Sequence, residues 1–587
     1  RKRDLTINST NHVWKLGDIV HSTPTVVSKP MENYNLLYGD ASYTTYRMAY
    51  NKRRQVVYVG ANDGMLHAFN GGCFDQAGMK FYPDVNAGGE CVSGGHELGE
   101  ELWAFIPRGL LPHLQWTTSP DYTHVYYVDG KPKVTDVRVF TADATHPEGW
   151  GTILIGSMRY GGKDITWTSG STYTFTPEYF ALDITDPLNP RVLWSFSDPS
   201  LGLSMSYPAV AKIGDEWFAI FGSGATDFNT SSNLVTYQPG NVFVLKLSGG
   251  TDGVINTWTL GSNYWKLTTG NAKTFLANPI TVDVDIDFDV DVAYIGENIQ
   301  DNSGKWNAIM RRITTGEGTQ TDPSQWTLST LANVADIAGT KDVVKRITAA
   351  PAAGMDNHGS LYVYFGTGQF LGNSDKNHTD TGAFYAIKDE CWNGDCVTAY
   401  TSLLDVSKSS VLTTGAVSGV SGTCGGATTW GSLQDASYTC DGWALYFSTM
   451  GEATDFTGAS LSHAGERVNT KPLVLGGLVT WATYIPGIDE CAYEGESNVY
   501  AVYYKTGTAY KDYVFKEQKE QVAPSNEVAR VKRLGSGMPS SVSAQITSSG
   551  TTKGFAQQST GSILGIESIN PIRIQSETRG WQSERIQ

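Results

Sequence analysis

The chain has 587 residues, with 59 acidic against 43 basic side chains, a formal net charge of −16, 64 glycines and 40% hydrophobic residues. That acid excess opposes broad attraction to nucleic-acid phosphates or anionic lipid, so cations are the more natural partners. No apolar run approaches the roughly 20 residues that span a bilayer, and the chain opens Arg1-Lys2-Arg3 without Met or an apolar signal region, which reads as a processed or excised portion of a longer protein.

In chain order, Leu16-Gly17-Asp18-Ile19-Val20-His21-Ser22-Thr23-Pro24 and Tyr38-Gly39-Asp40 precede the first clear strand pair. Val56-Val57-Tyr58-Val59-Gly60 runs through Ala61-Asn62-Asp63-Gly64 into Met65-Leu66-His67-Ala68-Phe69, a strand, a Gly-bearing turn and a strand. Trp167 to Thr176 reads as a polar insertion. Tyr179-Phe180-Ala181-Leu182-Asp183 then precedes Val192-Leu193-Trp194, and Leu361-Tyr362-Val363-Tyr364-Phe365-Gly366 precedes Ala383-Phe384-Tyr385-Ala386-Ile387. Ser407 to Tyr438, rich in Gly, Ser and Thr, reads as a second insertion, and Val499-Tyr500-Ala501-Val502-Tyr503 as a late strand. Tyr513 to Leu534 has the best helical composition, but Pro524 interrupts it, so a surface insertion is expected there. Strands ending in such aromatic runs are how quinoprotein-like propeller blades read. A pair of large β-sandwiches is the alternative.

Of seven cysteines, Cys73/Cys91, Cys391/Cys396 and Cys424/Cys440 are close enough in sequence to staple local loops in an oxidising compartment, leaving Cys491 over. Seven reduced thiols is the alternative. No CxxC or CxxCH motif suggests zinc or haem.

The sharpest chemical feature is Asp283-Val284-Asp285-Ile286-Asp287-Phe288-Asp289-Val290-Asp291. Drawn out as a strand, it would set its five carboxylates about 6.6 Å apart along one solvated face. Curled, it would place Asp283, Asp285, Asp287 and Asp291 at positions 1, 3, 5 and 9 of a DxDxDxxxD calcium loop. Asp289 would then stand at position 7, where the backbone carbonyl is the usual ligand. Phe288 occupies position 6, normally Gly.

Catalytic constellations are weak. HExxH, GxSxG and GxxxxGK[ST] are absent. Asp18, His21 and Ser22 make at most a fragment of a triad, and His67 on its apolar strand reads as a satisfied core residue.

The segments from Leu16 to Pro24, Tyr38-Gly39-Asp40 and Val57 to Phe69 resemble the opening of the PilY/PilC propeller, from the tip adhesins and assembly factors of bacterial type IV pili. Gly465-Glu466-Arg467-Val468, Lys471-Pro472-Leu473-Val474, Gly495-Glu496-Ser497-Asn498-Val499-Tyr500, Gly535-Ser536-Gly537-Met538-Pro539-Ser540 and Gly580-Trp581-Gln582-Ser583-Glu584 resemble its later blades. The resemblance implies an all-β fold, a single modified seven-bladed propeller over 1–587 with long insertions, the N-terminal part of the parent protein being absent. It also implies a Ca2+ loop just before Val292-Ala293-Tyr294-Ile295-Gly296, with Asp283, Asp285, Asp287, Asp289 and Asp291 as the candidate ligands. The implied function is calcium-dependent promotion of pilus assembly and control of extension and retraction, with surface adhesion and twitching motility. The implied location is the pilus tip at the cell surface, reached through the periplasm, with minor pilins and a host or abiotic surface receptor as partners and no enzymatic activity. The rival class is a quinone-dependent dehydrogenase-like propeller, against which the absence of a Cys-Cys pair counts. No Arg-Gly-Asp tripeptide is present, so that adhesive motif is not carried over. The expected ring closure pairs strands near Val56 with strands near Phe555 and Ile563.

Overall fold

The computed structural model describes residues 16–572 apart from 87, 229–232, 378–379, 395–401, 488–494, 522–525 and 547–551, together with the backbone of 3–7 and 10–14. Among the described residues, seven sheets of three or more strands follow one another along the chain, antiparallel except where Leu403–Asp405 runs parallel to Gly442–Tyr446. The first compact unit holds three: Thr25–Val27, Gln55–Gly60, Leu66–Asp75 and Glu101–Phe105; Lys133–Arg138, Trp150–Ser157, Tyr179–Asp183 and Arg191–Phe196; Ala209–Ile213, Glu216–Gly222, Asn241–Lys246 and Tyr264–Thr268. The second unit holds four, centred on Val292–Gln300 with Trp306–Thr314, Leu361–Gly366 with Ala383–Lys388, Leu478–Ile485 with Glu496–Tyr503, and Thr552–Gln557 with Ile563–Ser568.

Packing within each unit explains why the inner strands are continuous apolar runs. Alternate side chains of a strand point to opposite faces. In Tyr179–Asp183, Phe180 and Leu182 pack with Tyr58 and Leu66 of the first sheet, while Tyr179 and Ala181 pack with Phe221 and Phe243 of the third. In the second unit, Phe365 and Tyr385 pack with Tyr294, while Tyr364 and Phe384 pack with Trp481. Both faces of an inner sheet are therefore buried, which a two-layer sandwich does not do.

The strand pairs read from sequence form as expected. Val59 lies opposite His67 across the turn that Gly64 makes at φ 105°, and Val363 lies opposite Ile387 across the insertion. Two expectations are corrected. Val56 pairs with Val27 and Asn70, whereas Phe555 and Ile563 pair within their own three-stranded sheet. The strand at Val56 is thus an inner strand with both edges satisfied by neighbours in sequence, whose loops are cheaper to close than a chain-long one. The segment Tyr513 to Leu534 is not wholly an insertion: after the short helix Lys516–Glu520 it supplies the strand Val531–Ser536, paired with Glu496–Tyr503.

The disulfides Cys73–Cys91 and Cys424–Cys440 are formed, with Cα atoms 5.4 and 5.9 Å apart. Cys391 is buried and disulfide-bonded, while Cys396 and Cys491 lie outside the described residues.

Candidate metal centre

The strands Ile280–Val282 and Val292–Gln300 pair antiparallel, with Val282 opposite Val292, so the nine residues between them must turn back. They curl instead of continuing as a strand. Ile286 at φ 63° and Phe288 at φ 86° occupy the left-handed region, where a side chain costs roughly 1–2 kcal/mol that Gly would not. Position 6 of the loop therefore has the backbone expected of Gly, on a Phe. The Phe288 ring offsets that cost: it stacks on Tyr38 at 4.1 Å, packs near Tyr34 at 4.8 Å and lies under the Lys212 ammonium at 4.5 Å.

Within this curl, one carboxylate oxygen from each of Asp283, Asp285 and Asp287 lies within 4.8 Å of the others. Oxygens sharing one calcium ion at 2.3–2.6 Å are at most about 5 Å apart, so the three fit a common hard cation. Asp285 and Asp287 are exposed, leaving room for water ligands. Asp289 and Asp291 do not join this group. The Asp289 carboxylate accepts from Lys212 Nζ at 2.8 Å and Gly214 N at 3.0 Å, while its own N–H donates to Asp287 at 2.8 Å. Asp291 is buried and accepts from Val284 N at 2.6 Å, tying the loop's two ends together.

The other sequence candidates are dispersed. His21 takes Asp129 as its partner, Nδ1 to Oδ2 at 2.6 Å, with its backbone N–H on the same carboxylate at 3.1 Å. Ser22 Oγ accepts from Gly60 N at 2.9 Å, and Asp18 pairs with His124 at 2.7 Å. These three residues therefore form no triad. Burial lowers the His21 pKa despite the raising effect of Asp129. His67 is a satisfied core residue, bonded to Glu101 at 2.7 Å and Asp63 at 3.1 Å. Sequence reasoning missed Lys212, which nothing in its strand marks, and the role of Tyr38, whose motif gave the only signal.

The sequence model of the family described as the PilY1 beta-propeller domain matches residues 16–407. The chain belongs to that family. It is 28% identical over 523 residues to the type IV pilus biogenesis factor PilY1 of Pseudomonas aeruginosa, covering 82% of this chain and 38% of that protein. It is 25% identical over 517 residues to a PilY1 homologue of Xylella fastidiosa, covering 84% of this chain and 29% of that one. The chain thus spans well under half the length of the curated PilY1 relatives it matches. The crystal structure of the P. aeruginosa PilY1 C-terminal domain aligns with a TM-score of 0.59 at 22% identity, over 92% of this chain and 99% of that one. The fold is accordingly the seven-bladed β-propeller of PilY1, and the seven sheets are its blades.

Proposed function

We propose that this chain is the C-terminal propeller of a longer type IV pilus biogenesis factor, exported through the periplasm to the pilus tip. There it contacts minor pilins and a surface receptor, and it uses calcium to set extension against retraction, with consequences for adhesion and twitching motility. Family membership supports the pilus role, and the Asp283, Asp285 and Asp287 cluster carries the calcium reading. These three side chains would hold the ion, which supplies positive charge to carboxylates that otherwise repel. Each pair near 4 Å costs roughly 1 kcal/mol in water and about 4 at an effective dielectric of 20. Asp291 keeps the ends of the loop together and Phe288 fixes its tip, so occupancy biases a local surface that pilus partners read. No catalytic step is assigned. Calorimetry with calcium on the purified chain and on Asp287→Ala tests the site, and pilus number and twitching of cells carrying the same variant test the regulation. Unchanged affinity in the variant would reject the ligand set; lost affinity with normal piliation and motility would reject the regulatory role.

A further inference from the structure

A pocket of about 540 Å³ opens in the first compact unit beside the acidic loop. Its volume falls within the roughly 300–1,000 Å³ usual for small-molecule sites. Phe140, Trp150 and Trp217, all nearly fully buried, give it an aromatic floor, and Arg138, Glu148 and Asp215 are exposed at its rim. Arg138 spends only Nε on protein among the described residues, donating to Glu148 O at 2.8 Å. Among the described residues, neither the Glu148 nor the Asp215 carboxylate accepts a hydrogen bond. Glu148 stands at φ 57° in the left-handed region, and such strain in a residue other than Gly concentrates at ligand sites.

The lining chooses among ligand charges. Three carboxylates, Asp40, Glu148 and Asp215, oppose an anion, although Asp40 is already engaged in capping the helix Ala41–Ala49 through Tyr43 N. Arg138 and Lys212 oppose a cation. A neutral ligand bearing several hydroxyls can donate to the carboxylates and accept from the guanidinium.

The pocket wall is also tied to the loop. Lys212 lines the pocket while its Nζ bonds to Asp289 at 2.8 Å, Gly214 N holds the same carboxylate, and the Trp217 ring meets Phe288 edge-on at 6.1 Å. Asp289 in turn donates its N–H to Asp287. We propose that this pocket binds a neutral saccharide, and that it binds more tightly when the loop holds its cation, because carboxylate repulsion at Asp287 otherwise displaces the Asp289 anchor of Lys212. The cation dependence rests on the calcium reading above.

The test is saturation-transfer NMR of the chain with free glucose, galactose, mannose and N-acetylglucosamine, with glucuronate and glucosamine as charged controls, in calcium and in chelator. At least one neutral sugar should receive saturation, more weakly in chelator. Arg138→Ala and Asp215→Ala should each weaken binding by about tenfold or more, the worth of one hydrogen bond to a charged group. Both are rim substitutions and should leave calcium binding by calorimetry unchanged. Silence from every neutral sugar, preference for a charged one, or wild-type binding by both variants overturns the pocket. Sugar binding indifferent to chelator, in a chain that calorimetry shows to bind calcium, overturns the coupling alone. Sugar binding that the rim variants abolish, in a chain that binds no calcium, overturns the calcium reading and the coupling while the saccharide site stands.

Discussion

Two groups of carboxylates in this chain meet opposite fates. Glu466 is fully buried, and both its oxygens accept from protein donors, Oε2 from His463 Nδ1 at 2.6 Å and Oε1 from Tyr500 OH at 2.9 Å, Asn498 Nδ2 at 3.0 Å and the Thr483 hydroxyl. In the acidic loop, Asp283, Asp285 and Asp287 converge near solvent, and Asp285 has no hydrogen bond or ion pair among the described residues. A carboxylate that the fold has already supplied with donors is part of the scaffold. Carboxylates gathered where the fold supplies few donors store repulsion that a cation can discharge.

Breaking the first centre should have the largest effect. Glu466→Ala leaves a buried imidazole, amide and two hydroxyls without their acceptor, and should cost about 3–5 kcal/mol of stability, read as a lower urea midpoint, with calcium affinity unchanged. Breaking the second should do the reverse. Asp287→Ala should lower calcium affinity at least about tenfold, since even groups behind a metal ligand are worth 10–100-fold. The cation-free chain should change in stability by no more than about 1 kcal/mol, relieved repulsion offsetting the lost bond from Asp289 N–H. An equal loss of stability in both variants would erase the distinction.

Phe288 sharpens it further. Phe288→Gly removes roughly 1–2 kcal/mol of backbone strain and forfeits ring contacts with Tyr38, Tyr34 and Trp217 worth about 0.5–1.5 kcal/mol per pair, so its stability should fall between that of wild type and about 3 kcal/mol below it. Phe288→Leu keeps the strain and loses the stacking, and should be the less stable of the two in the same urea titration.

The smallest effect is a pH dependence confined to the buried centre. Burial pulls the His463 pKa down, but the hydrogen bonds and charges of Glu466 and then Glu452 together more than reverse this, so it lies above the ordinary value. A raised folded-state pKa contributes stability that is fully present below about 6.5 and is lost as pH rises through the folded value. The stability gap between wild type and His463→Gln should therefore narrow from mildly acidic to alkaline pH, and a gap that widens would contradict the pairing.

Much of this was legible in advance for a physical reason. Inner blade strands are apolar on both faces, so runs such as Tyr179–Asp183 and Ala383–Lys388 stand out without any need for alternation. The helix Ala41–Ala49 did not stand out. Its Ser, Thr and Tyr residues are mediocre helix formers, and it is held by tertiary bonds from Tyr43 to Asp136 at 2.7 Å and Tyr46 to Thr152 at 2.6 Å. In the loop, spacing alone indicated Asp283, Asp285, Asp287 and Asp291, of which the first three converge while Asp291 ties the loop's ends. It could not indicate that Asp289 would be taken by Lys212, which lies 77 residues away in sequence. Nor could it show that aromatic rings would hold Phe288 in a glycine-like backbone.

The two described disulfides close within insertions and join no two blades. Cys73–Cys91 spans 18 positions, from the end of the strand Leu66–Asp75 to the segment before Glu101–Phe105, and Cys424–Cys440 spans 16 before Gly442–Tyr446. Each removes roughly 3 kcal/mol of loop entropy from the unfolded chain, on the chain-entropy account for loops of about that length. Each suture also clamps its loop onto the sheet beneath it: Asp84 is held against the buried Arg54, and Leu433 and Cys440 complete the core that Trp443 and Trp481 build, so reduction of either bond loosens packing as well as lengthening a loop.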